Sequence, residues 1–108
     1  MDESPALRYE ATMQPLPALQ SLVEVIAGQP HVRRVWLFGS RARGDARPRS
    51  DIDLAVEAPA AGRREWLEVC RLIEEAETLL PIDLVRFEEA SPSLQQAIQS
   101  SGEVLFER

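Results

Sequence analysis

The chain contains no lysine, one histidine and one cysteine, and these shortages narrow its chemistry before any motif is sought. All 12 basic residues are arginines, which excludes Schiff-base catalysis and the lysine of a P-loop. His31 and Cys70 alone cannot assemble a zinc site of the usual His/Cys kind, and Cys70 has no partner for an internal disulfide. No apolar run approaches the roughly 20 residues needed to span a bilayer, so no membrane association is expected. The opening MDESPALRYEATMQP lacks the basic and apolar regions of a secretory signal. A cytoplasmic location is the resulting expectation, and the lone cysteine is consistent with a reducing compartment.

A net charge of −6 argues against a chain whose main task is to grip polyanionic nucleic acid, and no stable nucleic-acid binding is expected. Arg41, Arg43, Arg47 and Arg49 nevertheless crowd one short stretch, where a local anion site is possible. The catalytic groups left in supply are aspartates and serines. Their hard oxygen ligands suit magnesium, with manganese as an alternative.

At 108 residues with a 44% hydrophobic fraction, the chain has room for one domain and one core. Residues 1–14 read as a flexible tail and 15–108 as the domain. Leu16, Leu19, Leu22, Val23 and Ile26 recur at helical spacing from about Pro17, and Gly28 and Pro30 stop the helix. Val32 to Phe38 is strand-like, and Gly39-Ser40 breaks it. Arg41 to Arg43 predicts a single helical turn closed by Gly44. Asp51 to Val56 alternates, with Ile52, Leu54 and Val56 facing one way and Asp51 and Asp53 the other. A helix is predicted from about Arg64 to Leu80, with Trp66, Val69, Cys70, Ile73, Ala76 and Leu80 on its buried face. Ile82 to Phe87 is a third strand, Ser91-Pro92 opens a short helix, and Val104 to Phe106 suggests a last strand. The order α-β-turn-β-α-β-α-(β) predicts an α/β (α+β) domain, its helices packed on one mixed sheet.

Asp51 and Asp53 carry the strongest chemical signal. Two carboxylates one residue apart on a strand share a face, about 7 Å apart along the backbone. Their side chains can converge on metals spaced about 3.5–4 Å, as in two-metal transfer sites. Asp83 opens the third strand between Ile82 and Leu84 and reaches the same site if the two strands are neighbours. It would serve as a third ligand, or as the base that takes a proton from an attacking hydroxyl. Gly39 permits close backbone approach to an anion, and the following N–H groups with the Ser40 hydroxyl can hold phosphate oxygens. Arg43, or Arg41, can neutralise triphosphate charge.

The run Gly39-Ser40-Arg41-Ala42-Arg43-Gly44, a five-residue loop, then Ser50-Asp51-Ile52-Asp53-Leu54 closely resembles the G-S-x-A-x-G … S-D-x-D-[LIV] pattern of the DNA polymerase beta-like nucleotidyltransferase superfamily. Within it the chain resembles minimal nucleotidyltransferases, the antitoxins that pair with HEPN-domain toxins. The resemblance implies that Gly39, Ser40, Arg43 and Ser50 lie at the nucleotide. It also implies that Asp51 and Asp53 hold two Mg²⁺ ions, and that Asp83 completes the metal site and assists deprotonation. It further implies transfer of AMP from ATP to a hydroxyl, expected to be a tyrosine, of a HEPN-domain toxin. Two other readings stay open: a non-catalytic antitoxin that neutralises its toxin by binding, and an enzyme that nucleotidylates a small molecule such as an aminoglycoside.

Overall fold

The computed structural model describes residues 17–44, 51–76 and 81–108; the expected tail 1–14 lies outside them. Helix α1 (Pro17–Ala27) leads to β1 (Arg34–Phe38), the short helix α2 (Ser40–Arg43) and β2 (Ile52–Glu57). Helix α3 (Arg63–Glu75), β3 (Ile82–Arg86), a 3-10 turn at Phe87–Glu89, α4 (Pro92–Ser101) and β4 (Glu103–Glu107) complete the described elements. The four strands form one mixed sheet in the order β3-β2-β1-β4. β1 pairs antiparallel with β2 and β4, and β2 pairs parallel with β3. A parallel pair needs a long crossover, and α3 lies within that connection.

Pattern and burial agree on why β1 is central. Val35, Trp36 and Leu37 are consecutive, so they point to both faces, and all three are buried. Val35, Leu37, Ile52, Leu54 and Val56 meet Leu19, Leu22, Val23 and Ile26 of α1 and Val69 and Ile73 of α3 in the larger core. Trp36, Ala55, Phe87 and Ile98 form a smaller core on the other face, where Phe38, Leu94 and Val104 join them. Trp36 and Phe87 stack with ring centroids 4.8 Å apart. Ser91 caps α4 by accepting the Leu94 N–H, with Pro92 in the first turn.

Two expectations are revised. Helix α3 ends at Glu75, with Ala76 already extended (φ −69°, ψ 138°), rather than running to 80; residues 77–80 are not among those described. Cys70 is half-buried rather than a core residue. The last strand expected at Val104 to Phe106 is present and spans Glu103–Glu107. Its register slips between Val35 and Trp36, and this bulge lets the adjacent residues Leu105 and Phe106 both join the larger core. Strict alternation, the sequence signal for a strand, is lost at such a bulge.

The face carrying Trp36 is closed at one end by charge. Arg34 lies 3.2 Å from Glu57 of β2 and 3.2 Å from Glu107 of β4, its guanidinium 5.4 Å from the Trp36 ring. At the C-terminal end of β3, Arg86 donates to the carbonyls of Ala58 (2.9 Å) and Ala61 (2.7 Å) and covers the Trp66 ring. Glu88 accepts the Ala58 N–H at 2.9 Å. Together they fix the connection that leads into α3 and leave the other end of the sheet for chemistry.

Candidate active site

At that other end, the register sets the carboxylates side by side. Asp53 of β2 pairs with Asp83 of β3 and, across the other ladder, with Phe38 of β1. Directly paired residues project from one face, so Asp53 and Asp83 stand on neighbouring strands at about the 5 Å interstrand spacing. Asp51 immediately precedes β2, and the adjoining Ile52 N–H is tied to the Pro81 carbonyl at 2.9 Å, where the β2–β3 pairing begins. Asp51 and Asp83 are exposed and Asp53 is half-buried. The condition on which Asp83 depended, adjacency of the two strands, is met.

Burial, reinforced by the charges of Asp83 and then Asp51, raises the Asp53 carboxyl above its ordinary range, while Arg43 pulls it the other way. Asp53 is thus placed where burial and two neighbouring carboxylates make its ionisation harder, a conflict that a divalent cation relieves. Among the described residues no three His, Cys, Asp or Glu side chains are gathered into a metal cage. The two exposed acids can turn about χ1, so their backbone placement decides which ions they can reach. The donor set is all hard oxygen, with geometry open to solvent, and it fits Mg²⁺ or Mn²⁺.

Beyond Phe38 the chain must leave the sheet over Asp53, and Gly39 makes this possible. Its φ of 74° and ψ of −152° lie in a region open essentially to glycine alone. A Cβ built there would overlap Asp53 Oδ2 and lie 3.2 Å from Asp53 Cγ. The Gly39 carbonyl then accepts the N–H groups of Ala42 and Arg43, both at 3.1 Å. Gly44, in the left-handed region at φ 85°, closes the turn by donating to the Ser40 carbonyl. Ser40 is half-buried at the start of this turn, beside the acid pair.

The turn separates two arginines that sequence left interchangeable. Arg41 is buried at 7% exposure, whereas Arg43 is exposed and acts electrostatically on Asp53. Arg43 is therefore the more accessible of the two to an incoming anion. Ser50, like Arg47 and Arg49, lies outside the described residues. His31 stands at the far end of β1, 3.9 Å from Glu65, so no Ser40–His31 pair exists. Two features had no sequence signal: the collision that makes Gly39 obligatory, and Phe38 as the apolar neighbour of Asp53. Both depend on strand register, which pattern alone does not supply.

The model of the family described as Polymerase beta, Nucleotidyltransferase matches residues 20–108. No curated protein matches the chain. Among solved structures, a toxin-antitoxin with AMP-PNP contains a chain 26% identical, with a TM-score of 0.63, over 86% of this chain and 75% of that one. A chain of the toxin-antitoxin MntA-HepT is 24% identical with a TM-score of 0.55, covering 82% and 70%. A protein from Sulfolobus solfataricus assigned as a nucleotidyltransferase is 22% identical with a TM-score of 0.57, covering 84% and 78%, and shares the fold.

Proposed function

Because this chain belongs to the polymerase beta nucleotidyltransferase family, we propose that it transfers AMP from ATP to a tyrosine hydroxyl of a HEPN-domain toxin and acts as the antitoxin. The observation that carries this reading is the in-register pairing of Asp53 with Asp83 beside the Gly39–Ser40 turn. The toxin-antitoxin likeness, one example of which holds AMP-PNP, supports a nucleotide donor and a toxin partner.

In this reading the backbone and hydroxyl of Gly39 and Ser40 receive the triphosphate, and Arg43 offsets its charge. Ser50 joins them as a further nucleotide contact. Asp51, Asp53 and Asp83 hold the divalent ions. Two bound Mg²⁺ ions would supply charge stabilisation for the attacking oxygen and the departing pyrophosphate. The acceptor oxygen forms a bond to the α-phosphorus in line with the bond to the β-phosphate, which breaks. Asp83, nearest the open edge of the sheet, takes the hydroxyl proton. Asp53, half-buried and held against Gly39, keeps the ligand geometry fixed while the exposed acids adjust.

Intact-mass measurement of a co-expressed toxin tests the proposal. The mass rises by one or more AMP units with the natural chain and is unchanged with Asp51→Asn or Asp53→Asn. A toxin neutralised without any gain in mass, in the absence of ATP and Mg²⁺, would support the binding-only alternative instead. Transfer that survives either substitution would refute the metal assignment.

A further inference from the structure

The opposite end of the sheet carries a feature that nucleotidyl transfer does not use. A cleft of about 270 Å³ opens between the segment after α1 and the connection after β2. Its walls include Pro30 and Pro59, and its basic groups are His31, Arg33 and Arg108. The chain carries a net charge of −6, yet the cleft gathers two arginines with His31 beside them.

These groups differ in how they are held. Arg108 donates through Nε to the Val32 carbonyl at 3.0 Å and through Nη2 to the Ala27 carbonyl, with its guanidinium 5.2 Å from the Phe106 ring. Its guanidinium is held in place by these carbonyls. Arg33 is anchored by its backbone, its N–H donating to Glu57 at 2.8 Å and its carbonyl accepting from Arg108 at 2.9 Å. Its exposed side chain makes no hydrogen bond or ion pair with any of the described residues. Glu65, the acid facing His31, also accepts the Gly62 N–H at the start of α3. Pro30 and Pro59 add apolar surface to the lining of the cleft. Its volume falls just below the range of pockets that take drug-sized ligands.

We propose that this cleft binds a small molecule bearing an oxyanion, a phosphate monoester or a carboxylate, on a flat apolar body. Arg33 grips the oxyanion as a planar fork, Arg108 supplies fixed positive potential, and the apolar body lies against the prolines. The site lies at the far end of β1 from Gly39, roughly 20 Å away at the usual strand rise. It does not depend on the proposed transfer reaction.

Phenyl phosphate, benzoate and phenol, titrated into the metal-free protein by calorimetry and amide chemical shifts, test the proposal. Without divalent ions the three carboxylates repel anions from the other end of the sheet, so binding there does not interfere. Phenyl phosphate or benzoate binds with a dissociation constant on the order of 1 mM and shifts the amides of residues 30–33 and 59–60, whereas phenol does not. The tighter of the two anions identifies which oxyanion the cleft prefers. Arg33→Gln weakens binding about tenfold or more, and Asp53→Asn leaves it unchanged. Absence of binding at tens of millimolar, or binding indifferent to Arg33→Gln, would overturn the assignment.

Discussion

Replacing Gly39 by alanine puts two separate loads on the same spot. The first is conformational: the backbone at φ 74° and ψ −152° costs a non-glycine residue about 1–3 kcal/mol. The second is steric, because the new methyl would occupy space held by Asp53 Oδ2. The Asp53 side chain is half-buried between Phe38 and Asp83, so it yields only by leaving its rotamer, at about 1 kcal/mol. The sum is about 3 kcal/mol, a large part of the 5–15 kcal/mol that holds an ordinary domain. Urea denaturation of Gly39→Ala, Asp53→Ala and the double variant separates the loads. Removing the Asp53 carboxylate leaves the backbone strain but abolishes the collision. The double variant is therefore expected to be about 1 kcal/mol more stable than the sum of the two single changes predicts. ATP affinity should fall at least about tenfold in Gly39→Ala, since both the turn and Asp53 are displaced. A Gly39→Ala protein of natural stability, or a strictly additive cycle, would refute this description of the turn.

Three further outcomes follow from the same geometry. Asp53 has a folded-state pKa raised above its unfolded value by burial, Asp83 and Asp51, so its stabilising contribution is full below about pH 4 and lost as pH rises through the folded pKa. In EDTA, the stability difference between the natural chain and Asp53→Asn should therefore shift in favour of Asn as pH rises through that window, and denaturation at several pH values measures it. Arg86→Ala strips the Ala58 and Ala61 carbonyls of their partner and should cost about 2–3 kcal/mol, with faster proteolysis near residues 58–62; Arg86→Lys recovers only part, because an ammonium lacks the planar fork. Arg43→Ala should weaken ATP binding about tenfold with little loss of stability, whereas Arg41→Ala, at a buried position, should lower the melting temperature first.

Much of this site was legible because its residues are close in sequence. Gly39, Ser40, Asp51 and Asp53 belong to one turn and one strand start, and alternation alone placed the two acids on a common face. Asp83 could be assigned only conditionally, since no local pattern states which strands are neighbours. The parallel pairing of β2 with β3 supplies that condition. The features read least well were those that no local pattern states. The helical periodicity around Arg64 runs on to Leu80, yet the helix stops at Glu75. Leu105 and Phe106 break alternation because a bulge turns both inward. Arg86 looked like an ordinary strand-end cation, and only its contacts with Ala58, Ala61 and Trp66 reveal it as the brace of the adjoining connection. The two arginines of the turn were equivalent in sequence because burial, which separates them, is a property of the folded chain.

Metal stoichiometry reaches the central claim most directly. Mn²⁺ titrated into the chain with a non-hydrolysable ATP analogue, and followed by electron paramagnetic resonance, should saturate at two ions per chain. Asp53→Asn should abolish that binding, and Asp83→Asn should weaken it. Saturation that is the same in all three proteins, or no protein-bound Mn²⁺ at all, would contradict a site built from these three aspartates.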